Sequence, residues 1–181
     1  EGLDTGPIMK MIPFSLDKEE NSETLEIKYQ DLSRTELIKF LESLSKGEVD
    51  EIKQDSSLAT YAEKITTQET EILWDQHEAE YIQRKVRALF PKYGAFTFLG
   101  RKRIKILRAE EDINSYQLSP GEILISSERS IHVGCKKNTS LMIQQLQLEG
   151  KLPTKGEDFL RGNKNKILRL KKFSSSALEN K

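Results

Sequence analysis

The chain has 181 residues, so it is long enough to bury a hydrophobic core and to form one domain or two small ones. Its single cysteine, Cys135, excludes a disulfide within the chain, and neither histidine has a Cys or His partner at ligand spacing, so no metal site is predicted. No apolar run approaches membrane-spanning length and no signal peptide pattern is present, which predicts a soluble protein without a membrane partner.

The net charge is zero, but the two parts of the chain carry opposite charge. Residues 1–64 contain 8 Lys and Arg against 15 Asp and Glu, whereas residues 65–181 contain 21 against 14. The net charges are therefore −7 and +7. This asymmetry is typical of a polyanion-binding module joined to a different element. The alternative is ordinary surface charge that happens to be unevenly spread.

The chain begins at Glu1, directly before the turn-like segment from Gly2 to Pro7. A turn connects two elements, so we expect an upstream part to be missing. Asp4 within this turn has two interpretations: a residue that bonds locally to the backbone, or a carboxylate that assists proton transfer at the mouth of a strand. An aspartic protease would need two Asp-Thr-Gly copies, and only one is present.

The next segment predicts a strand and a long helix. Ile8–Ile12 has the composition of a short strand, and Pro13 ends it. Asn21 and Ser22 are candidate N-caps for a helix, which continues or restarts towards a C-cap at Gly47. A strand and one amphipathic helix make an incomplete α/β unit, so we expect this part to be loosely packed.

A second helix is predicted from Gln76 to Phe90. Asp75 and Glu78 are spaced as a capping pair for its first turn. Arg84 and Arg87 lie three residues apart and away from the apolar stripe of this helix. They form either a solvated helix face or a small phosphate-binding ledge.

The rest of the chain predicts a mainly β domain. Ile104 and Ile106 face one side of a strand, and Arg103 and Lys105 face the other. Short strands with turns at this spacing indicate a small closed barrel, of which an oligonucleotide-binding-type fold is one candidate. The predicted strands are Ala95–Leu99, Lys102–Leu107, Glu122–Ser126, Ile131–Cys135 and Leu141–Leu148.

Basic residues are frequent in this β-rich part. Neutralising phosphates with such side chains gives a salt-dependent affinity for nucleic acids without sequence readout. The nearby aromatic residues Tyr93, Phe96 and Phe98 are predicted to be core residues rather than base-stacking platforms. The cations expected on one side of the barrel are Arg101, Lys102, Arg103, Lys105, Arg108, Lys136 and Lys137.

Seven segments, taken in order, make the chain resemble methionyl-tRNA formyltransferase from the first residue to about Gly162. Each segment is weak alone, whereas their collinear order is specific, above all the Ala-Thr-Tyr-Ala-x-Lys segment and the closing signature. The segments are Gly2-Leu-Asp-Thr-Gly6; Glu23-Thr-Leu25; Leu58-Ala-Thr-Tyr-Ala62 with Lys64-Ile65; Trp74; Arg87-Ala88 with Pro91 and Gly94-Ala95; Leu146-Gln147-Leu148 with Gly150-Lys151 and Pro153; and Glu157-Asp-Phe-Leu-Arg-Gly162.

The resemblance implies a fold class and a division into domains. The family joins a Rossmann-like formyltransferase domain to a C-terminal barrel that resembles an oligonucleotide-binding fold. We therefore expect an α/β remnant of the catalytic domain at residues 1–57, a linker at 58–70 and a tRNA-binding, mainly β barrel at 71–162. The basic composition of residues 163–181 predicts a flexible tail.

The resemblance also implies an activity. The family transfers a formyl group from 10-formyltetrahydrofolate to the amino group of methionyl initiator tRNA, with a catalytic Asn, His and Asp. Only the Asp is matched, at Asp4, so we expect the parent protein to be an enzyme and this chain alone to be inactive. Lys64 is placed where a cation could reach the acceptor arm. The expected setting is a monomer in the cytoplasm, or in an organellar matrix in a eukaryote, without a metal.

Two other functions remain open. In one, the chain is a non-catalytic RNA-binding module and Asp4 is only a turn residue. In the other, a related enzyme uses the same formyl donor on a nucleotide sugar, or hydrolyses the donor. The basic barrel argues against this second alternative, because neither substrate needs a long cationic surface.

Overall fold

The computed structural model describes residues 2–113 and 116–175, and the chain divides into two units. Unit 1 comprises Glu1–Lys64 and unit 2 comprises Ile65–Lys181. The division falls within the segment 58–70 that was predicted to be a linker.

Helix α1 of unit 1 spans Ser22–Ser45 and begins at the N-cap Asn21. The Asn21 side chain accepts hydrogen bonds from the backbone N–H groups of Glu23 and Thr24. In return, the Thr24 hydroxyl accepts the backbone N–H of Asn21 at 3.0 Å. This reciprocal capping satisfies donors that would otherwise lack partners, and it confirms the predicted start of the helix.

Gly47 ends α1 as predicted, and the helix is continuous. Its backbone has φ +72°, a conformation that glycine adopts without steric cost. The Gly47 N–H donates to the carbonyl of Leu44, and the Glu48 N–H donates to that of Ser43. These two bonds form a Schellman motif, which satisfies the last free carbonyls of the helix.

Unit 1 has local order but little buried surface. All residues of α1 are described, and none of them is buried. Only Ile8 of the predicted strand Ile8–Ile12 pairs with another segment, through two backbone hydrogen bonds of 2.9 Å to Ile52. The strand prediction was wrong beyond Ile8, because no adjacent strand in the described part of the unit offers a longer ladder. An ion pair of 2.9 Å between Lys10 and Glu36 adds to these contacts.

Unit 2 begins with a shorter helix than the sequence predicts. Helix α2 spans Ala79–Leu89, and its N-cap, Glu78, makes no side-chain capping bond. The backbone N–H of Ala79 instead donates to the hydroxyl of Thr139 at 2.9 Å. The predicted capping by Asp75 and Glu78 was wrong, because the Glu78 carboxylate pairs with Lys137 at 2.7 Å.

Within the described residues of unit 2, six antiparallel strands form one sheet with the order β1-β2-β5-β4-β3, and β6 pairs with β5. The inward orientation of Ile104 and Ile106 is confirmed by their complete burial. Strand β2 continues past its predicted end at Leu107, because a bulge at Arg108 interrupts the strict alternation. The strands are β1 (Ala95–Leu99), β2 (Lys102–Glu111), β3 (Ile123–Ile125), β4 (Ile131–Gly134), β5 (Ser140–Leu148) and β6 (Thr154–Lys155).

The segment that follows the last helix connects the two edges of this sheet. On the β1 side, Phe98 and Ser174 exchange two backbone hydrogen bonds of 3.0 Å. Next to β3, the N–H of Phe173 donates to the carbonyl of Gly121 at 2.8 Å. We call residues 171–174 the closing segment, because they bridge β1 and β3 and close the sheet on itself.

The prediction of a flexible tail from Asn163 was wrong for the part that the structure describes. Helix α3 spans Gly156–Leu170, and the closing segment follows it directly. Ile167 and Phe173 are 1% and 0% exposed, so both belong to the core. The basic composition of this segment led to the prediction of a tail, although its apolar side chains pack against the sheet. Residues 176–181 lie outside the described residues.

The core of unit 2 fills the interior of the closed sheet and the surfaces beneath α2 and α3. Trp74 packs against Phe173 with ring centroids 6.0 Å apart, and its Nε1–H donates to the Thr97 hydroxyl at 2.9 Å. The Thr97 hydroxyl donates in turn to the carbonyl of Ser174 at 3.0 Å. The one tryptophan of the chain therefore lies directly against the closing segment.

Candidate nucleic-acid interface

Asp4 lies in an exposed turn of unit 1 with φ +58°. The Gln54 side-chain amide donates to the backbone carbonyls of Asp4 and Gly6, at 2.9 and 2.7 Å. These bonds fix the backbone of the turn and leave the Asp4 carboxylate on the surface. Asp4 has the geometry of the turn interpretation, and its catalytic role stays a prediction. Lys64, also exposed, is the last residue of unit 1.

The predicted ledge on α2 is engaged in contacts along the helix. Arg84 pairs with Glu80 one turn earlier, although its side chain is still 64% exposed. The Nε–H of Arg87 donates to the Gln83 side chain at 3.1 Å. Since both arginines have partners on their own helix, a phosphate would have to compete with these contacts.

Lys136 and Lys137 lie on a short 3₁₀ turn packed against the start of α2. The backbone N–H of Lys136 donates to the carbonyl of His77 at 3.0 Å. Hydrogen bonding to Glu78 and its negative charge raise the pKa of Lys137. Burial lowers the pKa of His77, and the positive charge of nearby Lys85 lowers it further. This turn thus stabilises the start of α2, because Lys137 forms an ion pair with Glu78. That ion pair already balances the charge of Lys137.

The outer face of the β1–β2 hairpin alternates aromatic and basic side chains. In the register of the pair, Phe96 lies opposite Lys105 and Phe98 opposite Arg103. The Arg103 guanidinium covers the Phe96 ring, with Cζ 3.7 Å from the centroid. Phe96 is only 5% exposed beneath it, which agrees with the prediction of a buried aromatic. For Tyr93, which is 38% exposed, the core prediction was wrong.

Arg103 is therefore partly buried as well as basic. Its Nε is enclosed and has no hydrogen-bond partner among the described residues. Lys105 packs its methylene chain against the backbone of Gly94, where an added Cβ would lie 2.9 Å from Lys105 Cδ. Both side chains combine an apolar contact with a charge at the surface, as long basic side chains commonly do.

The tip of the hairpin carries two exposed cations of the predicted set. Arg101 and Lys102 are exposed and follow Gly100, whose φ of +60° forms the turn. Burial lowers the pKa of Lys166 on α3, and the charges of Lys102 and Arg169 lower it further. The structure thus brings cations of the hairpin together with cations of α3.

Sequence reasoning missed Lys166 and Arg169 as site residues, because it assigned them to a tail. The signal that could have identified them is the spacing of the apolar side chains. Phe159, Leu160 and Ile167 recur at helical intervals and are all buried, which places Lys166 and Arg169 at the margin of a packed helix.

One buried titratable pair lies outside this basic surface. His132 on β4 hydrogen-bonds through Nδ1 to the Asp112 carboxylate, and both side chains are nearly inaccessible. The Tyr116 ring packs edge-on against His132, with centroids 4.9 Å apart. These contacts join the end of β2 to β4, which gives the pair a structural role.

Two other kinds of site, a metal centre and a membrane span, are absent from residues 2–113 and 116–175. No group of three or more His, Cys, Asp or Glu side chains within these ranges is arranged to hold a metal ion. No helix of the described chain is long and apolar enough to cross a membrane.

Comparison with known proteins identifies one family and a set of relatives. Residues 64–164 match the formyl transferase C-terminal domain. The methionyl-tRNA formyltransferase of Kosmotoga olearia is 38% identical over 152 residues, which are 83% of this chain and 48% of that protein. That of Wolbachia pipientis is 35% identical over 173 residues, 96% of this chain and 53% of that protein. The chain thus spans about half the length of the curated relatives it matches.

Solved structures share the fold. A variant of HypX from Aquifex aeolicus aligns over 95% of this chain and 31% of its own, with a TM-score of 0.66 and 17% identity. HypX in complex with tetrahydrofolic acid aligns over 72% of this chain and 22% of its own, with a TM-score of 0.54 and 18% identity.

Proposed function

Because the chain belongs to the formyl transferase C-terminal domain family, we propose that it is the tRNA-binding portion of a methionyl-tRNA formyltransferase. The observation that carries this proposal is the alignment of relatives with that name. Those from Kosmotoga olearia and Lachnospira eligens are 38% and 30% identical over 83% and 90% of this chain. The parent enzyme would formylate the amino group of methionyl initiator tRNA.

We further propose that the formyl donor is 10-formyltetrahydrofolate. HypX, a protein of the same fold, has been crystallised with tetrahydrofolic acid, which supports a donor of the folate class. The donor supplies the formyl group: a bond forms between the amino nitrogen and the formyl carbon, and the bond from that carbon to the donor nitrogen breaks. The amino nitrogen gives up one proton, the donor nitrogen takes one up, and tetrahydrofolate leaves. We assign no folate contact to the described residues of this chain.

Asp4 would act as a positioning residue in that reaction. Gln54 fixes the backbone of the turn while the Asp4 side chain stays exposed, so the carboxylate could orient the catalytic histidine of the parent enzyme. The Asn and His of the family's catalytic set are not matched within this chain. We therefore propose that the chain by itself does not catalyse formyl transfer.

The chain's own contribution would be tRNA binding through its basic side chains. Exposed cations on the β1–β2 hairpin can approach consecutive phosphates and neutralise them, which favours binding in proportion to the counterions released. The chain would work as a monomer in the cytoplasm, or in an organellar matrix in a eukaryote. The proposed tRNA-binding residues are Lys64, Arg84, Arg87, Arg101, Lys102, Arg103, Lys105, Lys136 and Lys137.

The test is binding of the full chain to methionylated initiator tRNA across a salt series, with elongator methionyl-tRNA as the comparison. We expect an affinity that falls steeply with salt, and a preference for the initiator if part of the discrimination resides here. The double variant Arg103→Glu/Lys105→Glu should bind more weakly and with a shallower salt dependence. The control, Lys18→Glu/Lys53→Glu in unit 1, changes the net charge equally and should bind like the unaltered chain. Absence of binding at low salt contradicts the proposal.

A non-catalytic RNA-binding module is the second candidate, in which Asp4 is only a residue of an exposed turn. The coding sequence upstream of Glu1 distinguishes the two. A Ser-Leu-Leu-Pro segment with the catalytic Asn and His would support the enzyme. A start codon immediately before Glu1 would support the binding module.

A further inference from the structure

Two elements of unit 2 meet where the β1–β2 turn packs against the end of α3. A Cβ added at Gly100 would lie 3.3 Å from Cδ1 of Leu170, so the turn and the last residue of α3 are in contact. Arg101 and Lys102 follow Gly100 directly and are exposed. Their backbone is therefore held beside the C-terminal end of α3.

The adjoining half of α3 is cationic. Lys166 and Arg169 lie three residues apart, on either side of the buried Ile167 that anchors this half of the helix. The charges of Lys102 and Arg169 reach Lys166 strongly enough to lower its pKa, after the effect of burial. Lys166 is thus repelled by one cation of the hairpin and by one cation of its own helix.

The acidic residues of α3 lie at its opposite end. Glu157 and Asp158 occupy the first turn, where Asp158 pairs with Arg161 at 3.1 Å. This arrangement follows the helix dipole, which favours carboxylates at the start and cations at the end by about 0.3–1 kcal/mol each. The dipole accounts for Arg169 on α3. It does not account for Lys102, which the hairpin brings into the same cluster.

Holding like charges together destabilises the folded chain, and a bound anion removes that repulsion. The contact between Gly100 and Leu170 holds the backbones of the two elements together, so one anion could approach cations from both. We infer that Arg101, Lys102, Lys166 and Arg169 form a binding site for backbone phosphates of RNA. This site extends the tRNA-binding surface onto α3, beyond the residues 64–164 that match the family. The inference rests on the proposed function, since it takes tRNA as the ligand.

The test compares two double variants of the full chain that remove equal charge. Lys166→Gln/Arg169→Gln alters the site, and Lys164→Gln/Lys18→Gln alters exposed lysines on the same helix and in unit 1. Binding of methionylated initiator tRNA is measured across a salt series. The site variant should bind on the order of tenfold more weakly at low salt, with a salt slope shallower by about one to two, whereas the control changes less than about twofold.

Thermal unfolding separates a binding role from a structural one. Lys166→Gln removes repulsion, so the melting temperature should stay the same or rise while tRNA binding weakens. A structural lysine would show the opposite change in melting temperature. If the helix variant fails to fold, Lys102→Gln tests the same site from the hairpin and leaves α3 unaltered. It should also weaken tRNA binding.

The outcomes distinguish the inference from the proposed function. If the unaltered chain binds tRNA and the site variants bind as the control does, the phosphate site is wrong and the proposed function stands. If the unaltered chain binds no tRNA at low salt, both are wrong.

Discussion

The two units of this chain differ in what holds their helices in place. Helix α1 of unit 1 has 24 residues, all described, and buries none of them. Helix α2 of unit 2 has 11 residues and buries four, and α3 has 15 residues and buries four. Since most helical stability in proteins comes from packing an apolar face, helix length is a poor guide to stability here.

The capping contacts show the same difference. Asn21 and Gly47, which begin and end α1, lie at the helix ends themselves. The cap of α2 comes from Thr139, 60 residues further along the chain. The ends of α1 are thus specified by neighbours in sequence, whereas the start of α2 depends on a contact that exists only after the chain has folded. The following predictions test this difference.

The largest expected effect follows from removing the buried ring of the closing segment. Phe173→Ala leaves a cavity against Trp74 and should lower the free energy of unfolding of unit 2 by about 3–5 kcal/mol. Denaturant unfolding, monitored by Trp74 fluorescence, measures this free energy of unfolding. Leu168→Ala, at a half-exposed position on α3, is the control and should cost far less. Equal effects of the two variants would mean that the closing segment contributes little.

A smaller loss of unit 2 stability is expected when the hydrogen bond from Ala79 to Thr139, which caps α2, is removed. Thr139→Ala takes away the hydroxyl that accepts the Ala79 N–H and should destabilise unit 2 by about 1–2 kcal/mol. Thr139→Ser retains that acceptor and should recover most of the loss. Asp75→Asn tests the local cap that the sequence predicts, and it should leave the Trp74 unfolding transition almost unchanged. A larger effect at Asp75 than at Thr139 would contradict the observed cap.

The buried thiol of Cys135 predicts a pH dependence confined to unit 2. Burial raises its pKa from an ordinary value of 9.0 to about 12, so the unfolded chain loses this proton before the folded chain does. The folded state then binds more protons, and stability falls as pH rises through the window from 9.0 towards 12. Between about pH 8 and pH 10 the loss should be on the order of 1 kcal/mol. Cys135→Ala should remove this component, and identical pH slopes in both proteins would exclude it.

The smallest effect on the Trp74 signal is expected from a change in unit 1. Asn21→Ala should weaken the start of α1 by about 1 kcal/mol without moving the unfolding transition of unit 2. Circular dichroism monitors the helix, and Trp74 fluorescence monitors unit 2. Amide hydrogen exchange should show weak protection from Leu25 to Leu44 and strong protection in β2 and β5. Strong protection across α1 would contradict the view that unit 1 is loosely packed.

Local patterns predicted a substantial part of the fold. The cap at Asn21, the end at Gly47 and the inward orientation of Ile104 and Ile106 all follow from neighbouring residues and are confirmed. The predicted end of β2 was wrong because the bulge at Arg108 interrupts the alternation on which strand prediction depends. A bulge of this kind is set by the register with β5, which the sequence of β2 does not specify.

The candidate site divides in the same way. Composition located the cations of the hairpin, since Arg101, Lys102, Arg103 and Lys105 adjoin one another in sequence. It did not reveal that Arg103 covers Phe96, or that Lys137 is balanced by Glu78. Those contacts decide how much of each charge is accessible, because a cation with an internal partner must exchange that partner for a phosphate.

The amino-acid sequence by itself determined the charge asymmetry, most of the strands, the capped ends of α1 and the family resemblance. Each of these depends on residue types at short spacing or in collinear order. Only the tertiary structure decided that the residues after Asn163 complete α3 and close the sheet, and that the end of α3 contacts the hairpin turn. The physical reason is that sheet closure and charge clustering arise between elements distant in sequence. Phe173, for example, packs against Trp74, which lies far from it in the sequence.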